Sequence, residues 1–217
     1  MNKHPNVISE HLNTVFINRS DAEAYFRLGL CYKNNGNYSK AVKYLEKAAG
    51  LKADYYEAFF ELGRCNLLDG VPCCAIKNFI QAIRIKPDNP EAVLQLGISH
   101  EMCEEYDLAL MIYQKLIQNS PEFVKAYDRK SELLISLEKY QEAALILNEL
   151  LKINPAYYRA FAGIGICFDK LGNHSRAQRY YRKFLAAEPF PPQADFVKTR
   201  LEKLKLQKPE ITHLAVV

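Results

Sequence analysis

Ala41, Ala75, Ala109, Ala143 and Ala177 stand 34 residues apart, without a slip. A strict period of this length marks a repeat array, in which each unit buries its apolar face against its neighbours instead of in a private core. The columns around the alanines keep the same register. Gly29, Gly63, Gly97 and Gly165 form one column, with Ser131 in the remaining slot. Tyr25, Phe59, Val93, Tyr127 and Phe161 form a second, and Leu28, Leu62, Leu96, Lys130 and Ile164 a third. Leu45, Phe79, Tyr113, Leu147 and Tyr181 make a fourth. Pro87, Pro121, Pro155 and Pro189 close successive units, with Ala53 in that slot of the first.

Within a unit the apolar residues follow a helical period. Tyr25, Leu28 and Tyr32 lie at i, i+3, i+7 on one face, Gly36-Asn37 interrupts, and a second run continues through Ala41, Leu45 and Ala48. Small residues in the Gly29 and Ala41 columns allow two helices to approach closely where they cross, and the terminal proline stops the second helix. Composition agrees. Nine glycines in 217 residues leave little material for tight hairpins, so many short strands are not expected. With 49% hydrophobic and 25% charged residues the chain is not disordered, and a net charge of +4 is too small a total to indicate nucleic acid or a membrane. No segment has the roughly 18 consecutive apolar residues of a membrane span, and residues 1–21 lack a secretory apolar stretch. Six cysteines do not make a disulfide scaffold in a chain of 217 residues, so the expectation is a cytoplasmic protein with reduced thiols.

The pattern of a large residue, Leu-Gly, Tyr, Ala, an aromatic and Pro at this period resembles the tetratricopeptide repeat family, matched in the first unit by Tyr25, Leu28-Gly29, Tyr32, Ala41 and, in the aromatic slot, Leu45. The resemblance implies an all-α, right-handed superhelical solenoid of helix-turn-helix units with a C-terminal capping helix. The units are placed at 22–55, 56–89, 90–123, 124–157 and 158–191. Residues 1–21 are expected to form an N-terminal helical cap, with Val7, Ile8, His11, Leu12, Val15 and Phe16 as its apolar side. Residues 192–208 are expected to form the capping helix, beginning at Pro191-Pro192. Phe196, Val197, Leu201 and Leu204 would be buried, and Lys198, Arg200, Lys203 and Lys205 solvated. Residues 209–217 read as a loose tail. The fourth unit, with Lys130-Ser131 where Leu-Gly is usual, is expected to pack less tightly.

A search for chemistry finds no Gly-rich phosphate loop, HExxH, GxSxG or paired CxxC, and no cofactor or metal site, so the chain reads as non-enzymatic. Cys31, Cys65 and Cys167 share a column with Ser99 and Leu133, which marks a packing position. Cys73 and Cys74 would point about 100° apart on a helix, poor geometry for one metal or one disulfide, and Cys103 is expected to have no nearby partner. His100, in the column of Tyr32, Leu134 and Phe168, reads as a half-buried, hydrogen-bonded histidine.

Function is therefore expected on a surface. In the family, the first helices of successive units line a concave groove for peptides, and here the columns that differ between repeats are the candidates to face a ligand. Phe26, Leu30, Phe60, Leu94 and Ile98 form the apolar part of this expected groove, joined by Gln95. Lys125, Arg129 and Arg159 form a basic part, with Arg64 reaching in from the second unit. Carboxylate-clamp members of the family place Lys and Arg in the columns of Lys125 and Arg129. They also need Lys and Asn where this chain has Phe60 and Arg64, and Asn where it has Gln95, so the match is partial. Lys125 and Arg129, a like-charge pair at i, i+4, either receive an acidic or C-terminal carboxylate end of a ligand or are neutralised by Asp128 and Glu132. The main reading is an adaptor, scaffold or chaperone-like protein that binds a partner protein segment. A second reading uses the basic stretch 170–208, ten basic residues against three acidic, to bind nucleic acid or another polyanion. A third is self-association through the apolar tail His213-Leu214-Ala215-Val216-Val217.

Overall fold

The computed structural model describes residues 5–187 and 194–206, and these form twelve helices with no strand among them. They are α1 (Pro5–Ile17), α2 (Ala22–Asn34), α3 (Tyr38–Leu51), α4 (Tyr56–Leu68), α5 (Pro72–Ile85), α6 (Pro90–Met102), α7 (Tyr106–Asn119), α8 (Val124–Ser136), α9 (Tyr140–Ile153), α10 (Tyr158–Lys170), α11 (His174–Ala187) and α12 (Ala194–Leu206). Each of α2, α4, α6, α8 and α10 starts 34 residues after the one before, as do α3, α5, α7, α9 and α11. The helical period and the repeat period therefore coincide. The chain divides into two compact units, residues 1–126 and 127–217, the division falling within α8. Pro189, Pro191, Pro192, Lys208 and the expected tail 209–217 lie outside the described residues.

Caps set the helix starts. Asp21 Oδ1 accepts from the Ala24 amide at 2.9 Å, Asn37 from Lys40 at 3.1 Å, Asn89 from Glu91 and Ala92, and Asn173 from Arg176. Pro72 and Pro90 occupy the first turns of their helices, where a missing amide costs nothing. The first helix of every repeat ends in the same turn. In the first, the Gly36 amide donates to Lys33 O and the Asn37 amide to Tyr32 O, both at 2.9 Å, and the pair of bonds recurs at residues 70, 104, 138 and 172. The central residue is left-handed in all five turns: Gly36 (φ 73), Gly70 (77), Glu104 (61), Glu138 (59) and Gly172 (74). A side chain in this region costs about 1–2 kcal/mol, partly offset by the flexibility a glycine brings to the unfolded chain. Glu104→Gly and Glu138→Gly are therefore expected to stabilise the protein by about 0.5–1 kcal/mol each. Urea denaturation checks this, and a loss of stability in both variants would refute it.

The glycine column is the crossing point. A Cβ on Gly29 would stand 2.6 Å from Leu45, on Gly63 2.6 Å from Phe79, on Gly97 2.3 Å from Tyr113 and on Gly165 2.5 Å from Tyr181. The bare backbone lets these large second-helix residues, all nearly or fully buried, lie flat against it. In the fourth repeat Ser131 replaces glycine and is nonetheless buried, its hydroxyl donating to Asp128 O at 2.9 Å. Leu147 there lies against Gly163 of α10 instead. Lys130 takes a leucine column and is half-buried. Burial pulls its ammonium below the ordinary value, against the counter-pull of Glu149 and Glu142.

In unit 1, α1 packs Val15 onto the core of Tyr25, Ala41, Leu45, Ala48 and Leu62, with Ile8 and His11 half-buried. Leu12 and Phe16 are exposed, so only part of the expected apolar side of this cap is used.

In unit 2, Ala194, Val197, Leu201 and Leu204 of α12 are buried, three of them against Tyr181 and Phe184. Phe196 departs from the expectation: it is 61% exposed, because the buried face runs at i, i+3, i+7, i+10 from Ala194 and residue 196 turns away from it. Arg200 also departs. It is not simply solvated but grips Asp169 of α10 with two bonds, Nε–Oδ2 at 2.5 Å and Nη2–Oδ1 at 2.8 Å. Tyr181 Oη donates to the same carboxylate at 3.3 Å, and His174 Nδ1 lies 3.4 Å from it.

Candidate peptide-binding face

In unit 1 the expected groove residues sit on the first helices, on the side that carries Glu23, Glu57 and Glu91. Phe26, Leu30, Phe60 and Ile98 are half-buried, and none is fully exposed. Phe26 leans on the ring of Tyr55, the residue just before α4, at 5.1 Å between centroids. Phe60 stacks on Tyr56 at 5.7 Å and meets Phe79 edge-on at 5.8 Å. Leu94 corrects the sequence reading, being only 3% exposed and part of the core. Its column differs chemically between repeats, yet Leu94 and Ala162 are buried there, so variation in a column does not mean exposure. The apolar part of the face is a set of half-covered rings and branched side chains and not an open hydrophobic patch.

The polar groups of this face are paired, some within a repeat and some across its boundary. Lys86 Nζ lies 2.7 Å from Glu57, and Lys125 Nζ 2.8 Å from Glu91. Gln95 Nε2 donates to the second oxygen of Glu91 at 3.2 Å. Burial raises the Glu91 carboxyl, but the bonds from Lys125 and Gln95 outweigh it and hold the group below the usual carboxylate range. Glu23 is held low by the Tyr55 hydroxyl and by Arg27, the latter at 2.9 Å. Glu61 bridges Arg64 at 3.1 Å and Lys33 at 2.8 Å, the second pair well covered, with 14% and 16% of the side chains exposed. The neutralisation expected for Lys125 thus comes from Glu91, one repeat earlier, and not from Asp128 or Glu132.

Arg129 and Arg159 lie in unit 2. Arg129 pairs with Glu132 at 3.1 Å, as one of the two sequence alternatives anticipated. Asp128 instead accepts a short hydrogen bond from the Tyr157 hydroxyl. Burial nevertheless leaves the Asp128 carboxyl above its ordinary value. Arg159 is exposed beside Tyr158 and Tyr157, which favour its charged form. On α11, Arg176 lies over the Phe168 ring at 5.3 Å and Lys183 over Phe161 and Tyr180 at 5.5 and 5.4 Å, so part of the basic stretch is used within the fold.

One feature of unit 1 escaped the sequence reading. An open cavity of about 560 Å³ is lined by Ile83, Val93, Leu96, Met111, Ile112 and Leu116, with Asp88, Asn89, Lys115 and Asn119 at its polar edge. Val93 and Leu96 lie on the opposite side of α6 from Glu91, Gln95 and Ile98. The sequence signal was present: Met111 stands in a column otherwise held by Lys43, Lys77, Leu145 and Arg179, and is 60% exposed.

Models of the tetratricopeptide repeat match residues 22–55, 91–122 and 129–192, together more than half of the chain. The chain belongs to the tetratricopeptide repeat family. Several solved structures of low identity share the fold. A MamA protein is 22% identical over 81% of this chain and 94% of its own, with a TM-score of 0.68. YrrB, described as a TPR protein with an unusual peptide-binding site, is 19% identical over 87% of this chain and 97% of its own, TM-score 0.65. PilF of Pseudomonas aeruginosa is 19% identical over 85% and 84%, TM-score 0.66. At these identities the likeness carries the tetratricopeptide fold and nothing further. No curated protein sequence matches the chain. Among the described residues no helix is long and apolar enough to cross a membrane, and no cluster of three or more His, Cys, Asp or Glu is placed to hold a metal ion.

Proposed function

We propose that this tetratricopeptide repeat protein is a non-enzymatic adaptor that binds a segment of a partner protein along the first helices of unit 1. The observation that carries this is the pairing of half-exposed Phe26, Leu30, Phe60 and Ile98 with a border of Arg64, Gln95 and the Glu57–Lys86 and Glu91–Lys125 pairs. Apolar side chains that can gain further burial, next to a few directional polar groups, suit a short peptide better than a flat protein surface. An acidic or C-terminal end of the ligand would compete with Glu91 for Lys125. Glu91→Gln is therefore expected to tighten binding of a peptide with a free carboxylate, and Lys125→Glu to weaken it. For unit 2, Arg129 and Arg159 are proposed as further basic contacts.

A second reading places the ligand in the cavity beside Met111, favoured by its size and apolar lining. Peptides selected by display against the full chain separate the two. The double variant Leu30→Glu, Ile98→Glu should lose at least about tenfold in affinity, or ~1.4 kcal/mol, while keeping its melting temperature. Met111→Glu should bind as the parent does. The opposite pattern would transfer the site to the cavity.

A further inference from the structure

Cys73 and Cys103, 30 residues apart in sequence, have their sulfur atoms 3.6 Å apart at the surface of unit 1. This corrects the expectation that Cys103 stands without a partner. Cys73 is exposed in the first turn of α5, and Cys103 is the capping residue just after α6. The repeat architecture itself brings these two positions together. One period earlier the equivalent residues are Ser39 and Asp69, and there the Ser39 hydroxyl donates to Asp69 at 3.2 Å. The contact between the start of a second helix and the end of the next first helix thus occurs twice in unit 1. Only in its second instance do both sides carry thiols.

We infer that Cys73 and Cys103 form a redox-active dithiol site that closes reversibly to an intramolecular disulfide when it meets a low-molecular-weight disulfide of the glutathione class. Cys103 is the group held as a thiol: burial and its contact with Cys73 push it up to about 11. The exposed Cys73 is accordingly the first to react. Its sulfur loses a proton to solvent, attacks one sulfur of glutathione disulfide and expels one glutathione thiolate, leaving a mixed disulfide on Cys73. Cys103 then loses its proton and attacks the Cys73 sulfur, breaking the bond to the second glutathione, which leaves as thiolate. Two protein thiols are oxidised, one glutathione disulfide is reduced to two glutathiones, and the protons released are taken up by the leaving thiolates. Closure needs the sulfurs to approach from 3.6 Å to the roughly 2.05 Å of a disulfide. Cys74, also exposed, points about 100° away around α5.

The full-length protein is incubated with glutathione disulfide, blocked with an alkylating reagent and mapped by peptide mass spectrometry without reduction. The expected product is monomeric, lighter by two hydrogen atoms than the reduced chain, and contains a Cys73–Cys103 linked peptide that a dithiol reductant reopens. Cys73→Ser and Cys103→Ser should each abolish the link, and Cys103→Ser should trap glutathione on Cys73. Cys74→Ser should leave the link intact. Stable mixed disulfides in the parent protein, a link through Cys74, a disulfide-bonded dimer, or thiols that stay reduced would each overturn the assignment.

Discussion

Gly97→Val is expected to destabilise unit 1 by about 3 kcal/mol or more, the upper end of what overpacking costs. A Cβ at this position would lie 2.3 Å from Tyr113 Cε1 and 2.9 Å from its Cδ1. Tyr113 has no room to retreat, because its ring is fully buried and its hydroxyl is tied to Glu101 at 2.9 Å. The two branches of valine would worsen a clash that already begins at the first carbon. Gly50→Ala supplies the contrast. Gly50 lies inside α3 with nothing within 4 Å of its added carbon, so alanine there should be neutral or stabilise by up to about 1 kcal/mol. Urea unfolding of both variants measures the difference. A Gly97→Val protein within about 1 kcal/mol of the parent would mean that α6 and α7 can separate without loss, contrary to the packing described above.

The second large effect is expected at Asp169. Removing its carboxylate in Asp169→Ala leaves Arg200 without its two-bond partner and takes an acceptor from Tyr181, with an expected cost of about 2–3 kcal/mol. The loss should be felt first in α12, which this ion pair ties to α10, so amides of residues 197–204 should exchange faster. Acidity should reproduce the effect. Burial raises the Asp169 carboxyl, but the hydrogen bond and charge of Arg200 outweigh it and hold the group below its ordinary 3.8. A carboxyl with a lowered value in the folded state contributes stability that is complete above its unfolded value and is lost as the pH falls through the folded one. The gap between parent and variant should therefore narrow as the pH falls below about 4. A gap that stays constant down to about pH 2, or unchanged exchange in α12, would show that the Asp169–Arg200 pair does not hold the helix.

Much of this architecture could be read directly from the chain. The alanine, glycine and proline columns imply two helices per unit, and the observed starts of α2 to α11 keep the same 34-residue step. Contacts that cross from one repeat to the next were harder to see. Lys33–Glu61, Cys73–Cys103 and Lys125–Glu91 join residues 28, 30 and 34 positions apart. In the sequence the evident neighbours of Lys125 are Asp128 and Arg129, because residues on one helix face lie three or four positions apart. In a stacked array the equally near neighbour is about one repeat distant, and that separation has no local signal. Burial within the candidate face was illegible for a related reason. Leu94, at 3%, and Phe26, half-buried, occupy one column, and only the shape of the adjoining repeat decides how much of each is covered.

The covered pair of Lys33 and Glu61 also bears on how freely such a chain can be rearranged. Geometrically, the second repeat could be excised and the third joined to the first with the helical step preserved. Lys33 would then face the position of Glu61 one period on, which is Gln95, and a mostly covered ammonium would trade a carboxylate for an amide. The repeats share a backbone but are not interchangeable parts. Their order is written in the side chains that meet at each junction, so a shuffled or shortened array would keep its outline and lose its fit.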